Sequence, residues 1–137
     1  MTEQIHEGGC LCGALRYRAE GAPLLVEYCH CSMCRRASGA PVVAWADFPW
    51  ERFRILKGVP ARYASSRGVW RSFCGACGSQ LTFQWGEAPP KITLTVASLD
   101  EPQALAPRHH IFTADALSWL ELADTLPRHP QHLPPEE

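Results

Sequence analysis

The sequence predicts a mainly β protein. Glycine, proline and aspartate residues recur roughly every eight to twelve residues, and the short segments between them are rich in β-branched and aromatic residues. Helical periodicity is weak by comparison. A chain of 137 residues matches the usual size of one domain and is too short for two. We therefore expect a single domain built of antiparallel strands.

Nine segments have the composition and the flanking turn residues of strands. The segment at residues 91–96 alternates most clearly, with Ile92, Leu94 and Val96 on one face and polar residues on the other. That strand is expected to have one face in water. The nine predicted strands are residues 15–19, 24–29, 41–46, 53–57, 62–65, 69–73, 80–85, 92–98 and 108–113.

Two segments carry a weak helical signal. Residues 32–38 are predicted to form one or two turns that end at Gly39, and residues 113–126 place Leu117, Leu120 and Leu126 at loosely helical spacing. Only the second is expected to exceed two turns. The following residues 128–137 are polar and interrupted by prolines, which predicts a disordered tail.

Charge and hydropathy exclude several classes of protein. There is no run of about 18 apolar residues, so we expect no membrane insertion. The N-terminal segment is acidic and has no apolar core, unlike a secretory signal, so we expect a cytoplasmic protein with reduced thiols. With 13 basic and 14 acidic residues, the chain lacks the positive charge that nucleic-acid binding requires.

The seven cysteines fall into three tight groups, which favours metal binding over disulfides or isolated buried thiols. Cys10 and Cys12 lie on one face of an extended segment, and the Cys-x-x-Cys knuckle of Cys74 and Cys77 allows both thiolates to reach one ion. Together these four would form a closed tetrahedral zinc site that stabilises the fold.

The middle group, Cys29, Cys31 and Cys34, supplies three thiolates within six residues. Three protein ligands and one exchangeable position are typical of catalytic zinc, so we expect a second zinc ion per chain here. The alternative is a second structural site closed by a histidine, with His30, His109 and His110 as candidates. A hydrogen-bonded structural role is the alternative for each of these histidines. We expect His6, His129 and His132 to be solvated in flexible ends.

Three motifs together resemble the glutathione-dependent formaldehyde-activating (GFA) family, and the similarity extends from Gly8 to Pro127. The motifs are Gly9-Cys10-Leu11-Cys12-Gly13, Cys29-His30-Cys31-Ser32-Met33-Cys34-Arg35-Arg36 and Phe73-Cys74-Gly75-Ala76-Cys77-Gly78. The resemblance implies an Mss4-like zinc-binding fold of antiparallel sheets with few short helices, as one domain over residues 5–127. It also implies that the four-cysteine set holds structural zinc and the three-cysteine set catalytic zinc.

The resemblance further implies carbon–sulfur bond chemistry on small thiol–aldehyde adducts. The family's named reaction joins formaldehyde to the glutathione thiol, giving S-hydroxymethylglutathione, or reverses that step. Because three thiolates leave Zn²⁺ with a net charge of −1, basic neighbours such as Arg35 and Arg36 would help to hold an anionic thiol substrate. The alternative for these arginines is a solvated surface pair.

Two other functions fit the same composition. A non-catalytic zinc module for protein–protein interaction would use both clusters only as scaffold, and exposed aromatic residues would mark its surface. A thiol-redox protein using Cys74 and Cys77 would need a thioredoxin-like βαβ pattern, which the sequence does not show. The five tryptophans are assigned no role.

Overall fold

A computed structural model describes residues 4–134, and it confirms the mainly β prediction. One short helix, α1 (Ser32–Ser38), lies between the third and fourth strands, and four single-turn 3₁₀ helices occur in the described chain. No helix there is long and apolar enough to cross a bilayer. The strands are β1 (Ile5–Gly9), β2 (Arg16–Glu20), β3 (Leu25–Cys29), β4 (Val43–Pro49), β5 (Phe53–Lys57), β6 (Ala61–Ser66), β7 (Val69–Phe73), β8 (Gln80–Trp85), β9 (Lys91–Thr95) and β10 (His110–Ile111).

The strands form two sheets that pack on each other. The small sheet has the order β1-β2-β5, and the large sheet has the order β10-β3-β4-β9-β8-β7-β6. All pairs are antiparallel except β10 with β3, which is parallel. The main core lies between the sheets and includes Tyr17 and Ala19 from the small sheet and Ala46, Phe48 and Leu94 from the large one.

The opposite face of the large sheet carries a second apolar cluster. Because side chains alternate along a strand, Cys29 and Trp45 point away from the main core that their neighbours fill. A register shift where β7 pairs with β8 places one extra residue in β8. As a result, Leu81 lies in the main core and Phe83 lies in the second cluster. This second face positions the candidate site.

Strand β1 is absent from the predicted set, because its sequence offers only one aliphatic residue. Pairing with β2 and the burial of His6 against the Phe48 ring, with centroids 5.5 Å apart, compensate for this weak local signal. A Cβ at Gly8 would collide with the Ser98 carbonyl oxygen and the Tyr17 hydroxyl, so glycine is required there. The prediction that His6 is solvated is wrong.

The predicted helix over residues 113–126 is wrong. Only a 3₁₀ turn at Thr113–Asp115 forms, and Ala116 is already extended with ψ of 144°. Leu120 and Leu122 instead line a small cavity beside His30 and His110. The segment therefore covers the two buried imidazoles in an irregular conformation, and these tertiary contacts override its moderate helix propensity.

The backbone after residue 126, where the predicted tail begins, is hydrogen-bonded to β10 and to the residue that follows it. The His110 N–H donates to the Pro127 carbonyl at 2.9 Å, and the His129 N–H donates to the His110 carbonyl at 2.9 Å. Further along, the Phe112 N–H donates to the Gln131 carbonyl at 3.0 Å. Residues 128–131 therefore pair beside β10, and the last three residues of the predicted tail, 135–137, lie outside the described part of the chain.

Candidate metal centres and the adjoining pocket

Four cysteines meet where the β1–β2 connection approaches the β7–β8 connection. The Sγ atoms of Cys10, Cys12, Cys74 and Cys77 all lie within 4.8 Å of one another. The Cys10–Cys12 Sγ distance is 3.6 Å, and the Cys12–Cys74 distance is 3.7 Å. The structure therefore brings together the two outer cysteine groups that the sequence paired, although they are separated by about sixty residues.

Backbone N–H groups point at these sulfurs. The Leu15 N–H donates to Cys10 Sγ at 3.2 Å, and the Ala76 and Cys77 N–H groups donate to Cys74 Sγ at 3.4 Å. The hydroxyl and backbone N–H of Ser79 lower the pKa of Cys77 to about 5. Donors of this kind favour the thiolate form, which is the form that binds metal.

The middle three cysteines lie at the end of β3 and the start of α1, on the second face of the large sheet. Their Sγ atoms also lie within 4.8 Å of one another, with Cys29 and Cys34 3.5 Å apart. Cys31 caps α1, because its sulfur accepts the Cys34 N–H at 3.3 Å. Contacts with the Cys29 and Cys34 sulfurs lower the pKa of Cys31 to about 2, and the Cys31 and Cys34 sulfurs raise the pKa of Cys29.

Both clusters fit zinc. A tetrahedral ion with Zn–S bonds of about 2.3 Å holds its sulfurs about 3.8 Å apart, close to the 3.5 to 3.7 Å found here. All seven cysteines are free thiols, so no disulfide competes for these sulfurs. The four-cysteine set can close a tetrahedron by itself, whereas the three-cysteine set leaves one position for another ligand.

None of the three candidate histidines belongs to the three-sulfur group. His30 Nε2 lies 2.8 Å from His110 Nδ1, and His110 Nε2 lies 3.0 Å from both carboxylate oxygens of Asp124. His109 Nε2 lies 2.8 Å from Glu27 Oε1. Each imidazole is thus engaged in a hydrogen bond with another side chain, as the structural alternative expected.

A buried arginine lies beside the three sulfurs. The Nη atoms of Arg71 are 3.8 and 3.9 Å from Cys34 Sγ, and its guanidinium lies over the Phe83 ring at 5.0 Å. Arg71 is only 6% exposed, and its neighbours in the described chain include no carboxylate that pairs with it. In the sequence, the one sign of this buried role is that Arg71 is the charged residue within strand β7, whose neighbouring residues include Val69, Trp70 and Phe73.

The two arginines singled out by the sequence are placed elsewhere. Arg35 Nη2 contacts the Asp115 carbonyl at 3.5 Å, and Arg36 is exposed on α1. Neither residue lines the pocket that adjoins the three-sulfur group. Arg71 has the position beside the sulfurs that was expected of Arg35 and Arg36.

The pocket next to the three sulfurs has a volume of about 270 Å³. Its floor is the second face of the large sheet, and α1 and the segment after β10 form its walls. Its lining is mostly apolar and includes Trp45, Phe83, Trp85 and Phe112, with Arg71 beside the sulfurs. Cavities with this combination of apolar walls and a few polar groups are typical of small-molecule sites.

Two carboxylates also line this pocket, and both have partners. Glu27 is hydrogen-bonded to His109, and burial raises the pKa of this carboxyl group. Asp47 accepts from Lys91 Nζ at 2.7 Å and from Thr93 Oγ1 at 2.6 Å. Both carboxylates of the pocket therefore have hydrogen-bond partners within the protein.

Fold and site together define a two-sheet, cysteine-rich β domain with two groups of sulfurs that can hold metal and one small-molecule pocket. The sequence profile of the glutathione-dependent formaldehyde-activating enzyme family matches residues 5–115, and the chain belongs to this family. The resemblance seen in the three cysteine motifs is thereby confirmed.

Two relatives are consistent with this assignment. An uncharacterized lyase of Schizosaccharomyces pombe is 32% identical over 80 residues, which are 58% of this chain and 58% of the yeast protein. The chain thus matches less than two thirds of that relative's length. The crystal structure of a Rhodobacter sphaeroides protein has a TM-score of 0.56 and 23% identity, covering 89% of this chain and 98% of the other, which shows a shared fold.

Proposed function

We propose that this protein is a zinc-dependent carbon–sulfur lyase or synthase for small thiol–aldehyde adducts. One observation carries the proposal: three sulfurs, one fewer than a tetrahedral ion takes, line a pocket beside a buried cation, Arg71. The family's named substrates suggest glutathione as the thiol and formaldehyde as the aldehyde. The lyase name of the yeast relative supports a reaction without hydrolysis or redox change.

The two clusters have different parts in this proposal. Zinc held by Cys10, Cys12, Cys74 and Cys77 ties the small sheet to the turn between β7 and β8 and stabilises the fold. Zinc held by Cys29, Cys31 and Cys34 supplies, when bound, a Lewis acid that keeps a thiol substrate as thiolate or polarises an aldehyde oxygen. We propose two zinc ions per chain.

The chain's own side chains would bind the substrate and offset the charge that develops during the reaction. In the synthase direction the thiol proton leaves to solvent, the sulfur gives an electron pair to the carbonyl carbon, and the carbonyl oxygen takes up a proton. The guanidinium of Arg71 offsets the excess negative charge of the three thiolates, so an anionic sulfur can approach them. Trp45 and Phe83 shield one side of this centre from water.

The test is exchange NMR on mixtures of formaldehyde and glutathione, with and without the zinc-loaded protein at the same pH. We expect the protein to accelerate exchange between free and adduct species, and we expect Cys31→Ser to abolish the acceleration. The variant must retain one zinc ion and the wild-type circular dichroism spectrum. No acceleration by protein that carries both zinc ions would exclude formaldehyde and glutathione as the substrates, and no acceleration of any thiol–aldehyde pair would favour the non-catalytic interaction module.

A further inference from the structure

The walls of the pocket match neither partner of the formaldehyde and glutathione pair. Formaldehyde carries no apolar group, so it would leave most of the aromatic lining without a partner. The body of glutathione carries two carboxylates and an ammonium group, which require charged or polar partners. If the pocket holds the substrate, its apolar lining must therefore contact an apolar group that neither compound has. This inference rests on the proposed function.

The charged groups of the pocket also argue against a tripeptide. Glu27 is bound by His109, and Asp47 is bound by Lys91, so these groups are engaged with one another. Arg71 is the one pocket cation that has no carboxylate partner among the described residues, and it lies at the sulfurs. A second carboxylate at the far end of a substrate would find no free cation in the pocket.

Three aromatic side chains, Trp45, Phe83 and Trp85, instead lie side by side along the floor of the pocket. The Trp45 and Phe83 centroids are 6.3 Å apart with an interplanar angle of 58°, and Phe83 and Trp85 are 6.1 Å apart at 81°. Tilted and edge arrangements of this kind are typical of packed aromatic pairs, and they present the apolar surface of Phe83 and Trp85 to the pocket. Trp85 is 60% exposed and lies toward the open side of the pocket.

Phe112 adds to this apolar lining from the opposite wall at a cost in backbone strain. It is the one non-glycine residue with positive φ in the described chain, at 55°. A bulky residue in the left-handed region is uncommon and persists where the surroundings require it. Here the conformation coincides with the packing of the ring against the second apolar cluster and with its place in the pocket lining.

We propose that the pocket takes the thiol adduct of an apolar, aromatic aldehyde, with the ring against Phe83 and Trp85 and the carbon–sulfur centre at the three sulfurs. In the lyase direction the carbon–sulfur bond breaks and the sulfur keeps the electron pair. The hydroxyl proton leaves to solvent as the carbonyl bond forms, and the guanidinium of Arg71, 3.8 Å from Cys34 Sγ, would offset the negative charge that develops on the departing sulfur.

The test compares phenylacetaldehyde with formaldehyde, each mixed with the uncharged thiol 2-mercaptoethanol, by exchange NMR with the zinc-loaded protein. We expect larger acceleration for phenylacetaldehyde. Trp85→Ser should reduce that acceleration by about three- to tenfold, the factor that one aromatic contact contributes. Trp119→Ser is the matched control, because Trp119 is 70% exposed and lies outside the pocket.

A second measurement keeps binding separate from turnover. Saturation-transfer NMR with benzyl alcohol should show transfer from the wild type and Trp119→Ser, and weaker transfer from Trp85→Ser. Acceleration of the formaldehyde and glutathione pair with none for phenylacetaldehyde would overturn this inference and leave the proposed function standing. If no pair is accelerated, the proposed function fails, and equal saturation transfer in all three proteins would overturn the aromatic pocket as well.

Discussion

Removing the charge of Arg71 should weaken zinc binding at the three-cysteine site. A unit charge at 3.8 to 3.9 Å from Cys34 Sγ interacts by about 4 kcal/mol at an effective dielectric constant near 20. Desolvation of the buried guanidinium offsets part of this energy. Substitution of Arg71 by Met retains an apolar stem, so we expect a net loss of about 10- to 100-fold in affinity for the ion.

The affinity can be measured by competition with a chromophoric chelator. Wild-type protein should release zinc in two phases, one for each site. The Cys31→Ser variant retains only the four-cysteine site, so the phase that it keeps is assigned to that site. Arg62→Met is the matched control, because Arg62 stacks on Trp70 of the neighbouring strand β7 and pairs with Glu87, without contacting sulfur. Unchanged affinity in Arg71→Met, or an equal loss at the four-cysteine site, would refute the electrostatic argument.

Three further predictions concern stability. Cys74→Ser should abolish soluble folding, measured by yield and circular dichroism, because the four-cysteine zinc contributes folding energy directly. Gly58→Ala should lower the free energy of unfolding in urea by about 2 to 4 kcal/mol, since φ is +81° and the new Cβ would collide with the Ala14 carbonyl oxygen. Burial raises the pKa of Tyr17 to about 12, so this tyrosine ionises at lower pH in the unfolded chain than in the folded protein. The free energy of unfolding should therefore fall by about 1 kcal/mol between about pH 9 and 11, and Tyr17→Phe should remove this pH dependence.

Each of these predictions has a contrary outcome. Soluble, folded Cys74→Ser protein would contradict a structural role for the four-cysteine zinc. Gly68→Ala is the control for Gly58→Ala, because Gly68 has φ of +75° with open space around it, and equal losses would show that the collision is unimportant. The Tyr17 argument fails if the wild type and Tyr17→Phe lose stability in parallel as the pH rises.

Local patterns were sufficient for most strands and for both cysteine groupings. Alternation and turn residues define β3 to β9 within a few residues, and knuckle spacing identified Cys74 and Cys77 as a pair. These features depend on neighbours in sequence, where the period of a strand or the reach of two thiolates is fixed by backbone geometry.

Features that depend on distant contacts were not accessible in this way. Arg71 reaches Cys34 only because of the order of β7, β8, β9 and β4 between them, which no window of sequence reveals. Similarly, Leu120 has helical spacing, but its place is set by the buried pair of His30 and His110. Local propensity was overridden there by tertiary packing.

The separation of the two faces of the large sheet has a consequence for how such a protein can diversify. Residues such as Ala46 and Leu94 hold the sheets together, while Trp45, Phe83 and Thr93 on adjacent positions face the pocket. Leu81 and Phe83 would lie on the same face of a regular strand, and the extra residue in β8 allows Leu81 to face the main core while Phe83 faces the pocket. Substrate preference can therefore change through substitutions at alternate strand positions while the core between the sheets stays unaltered.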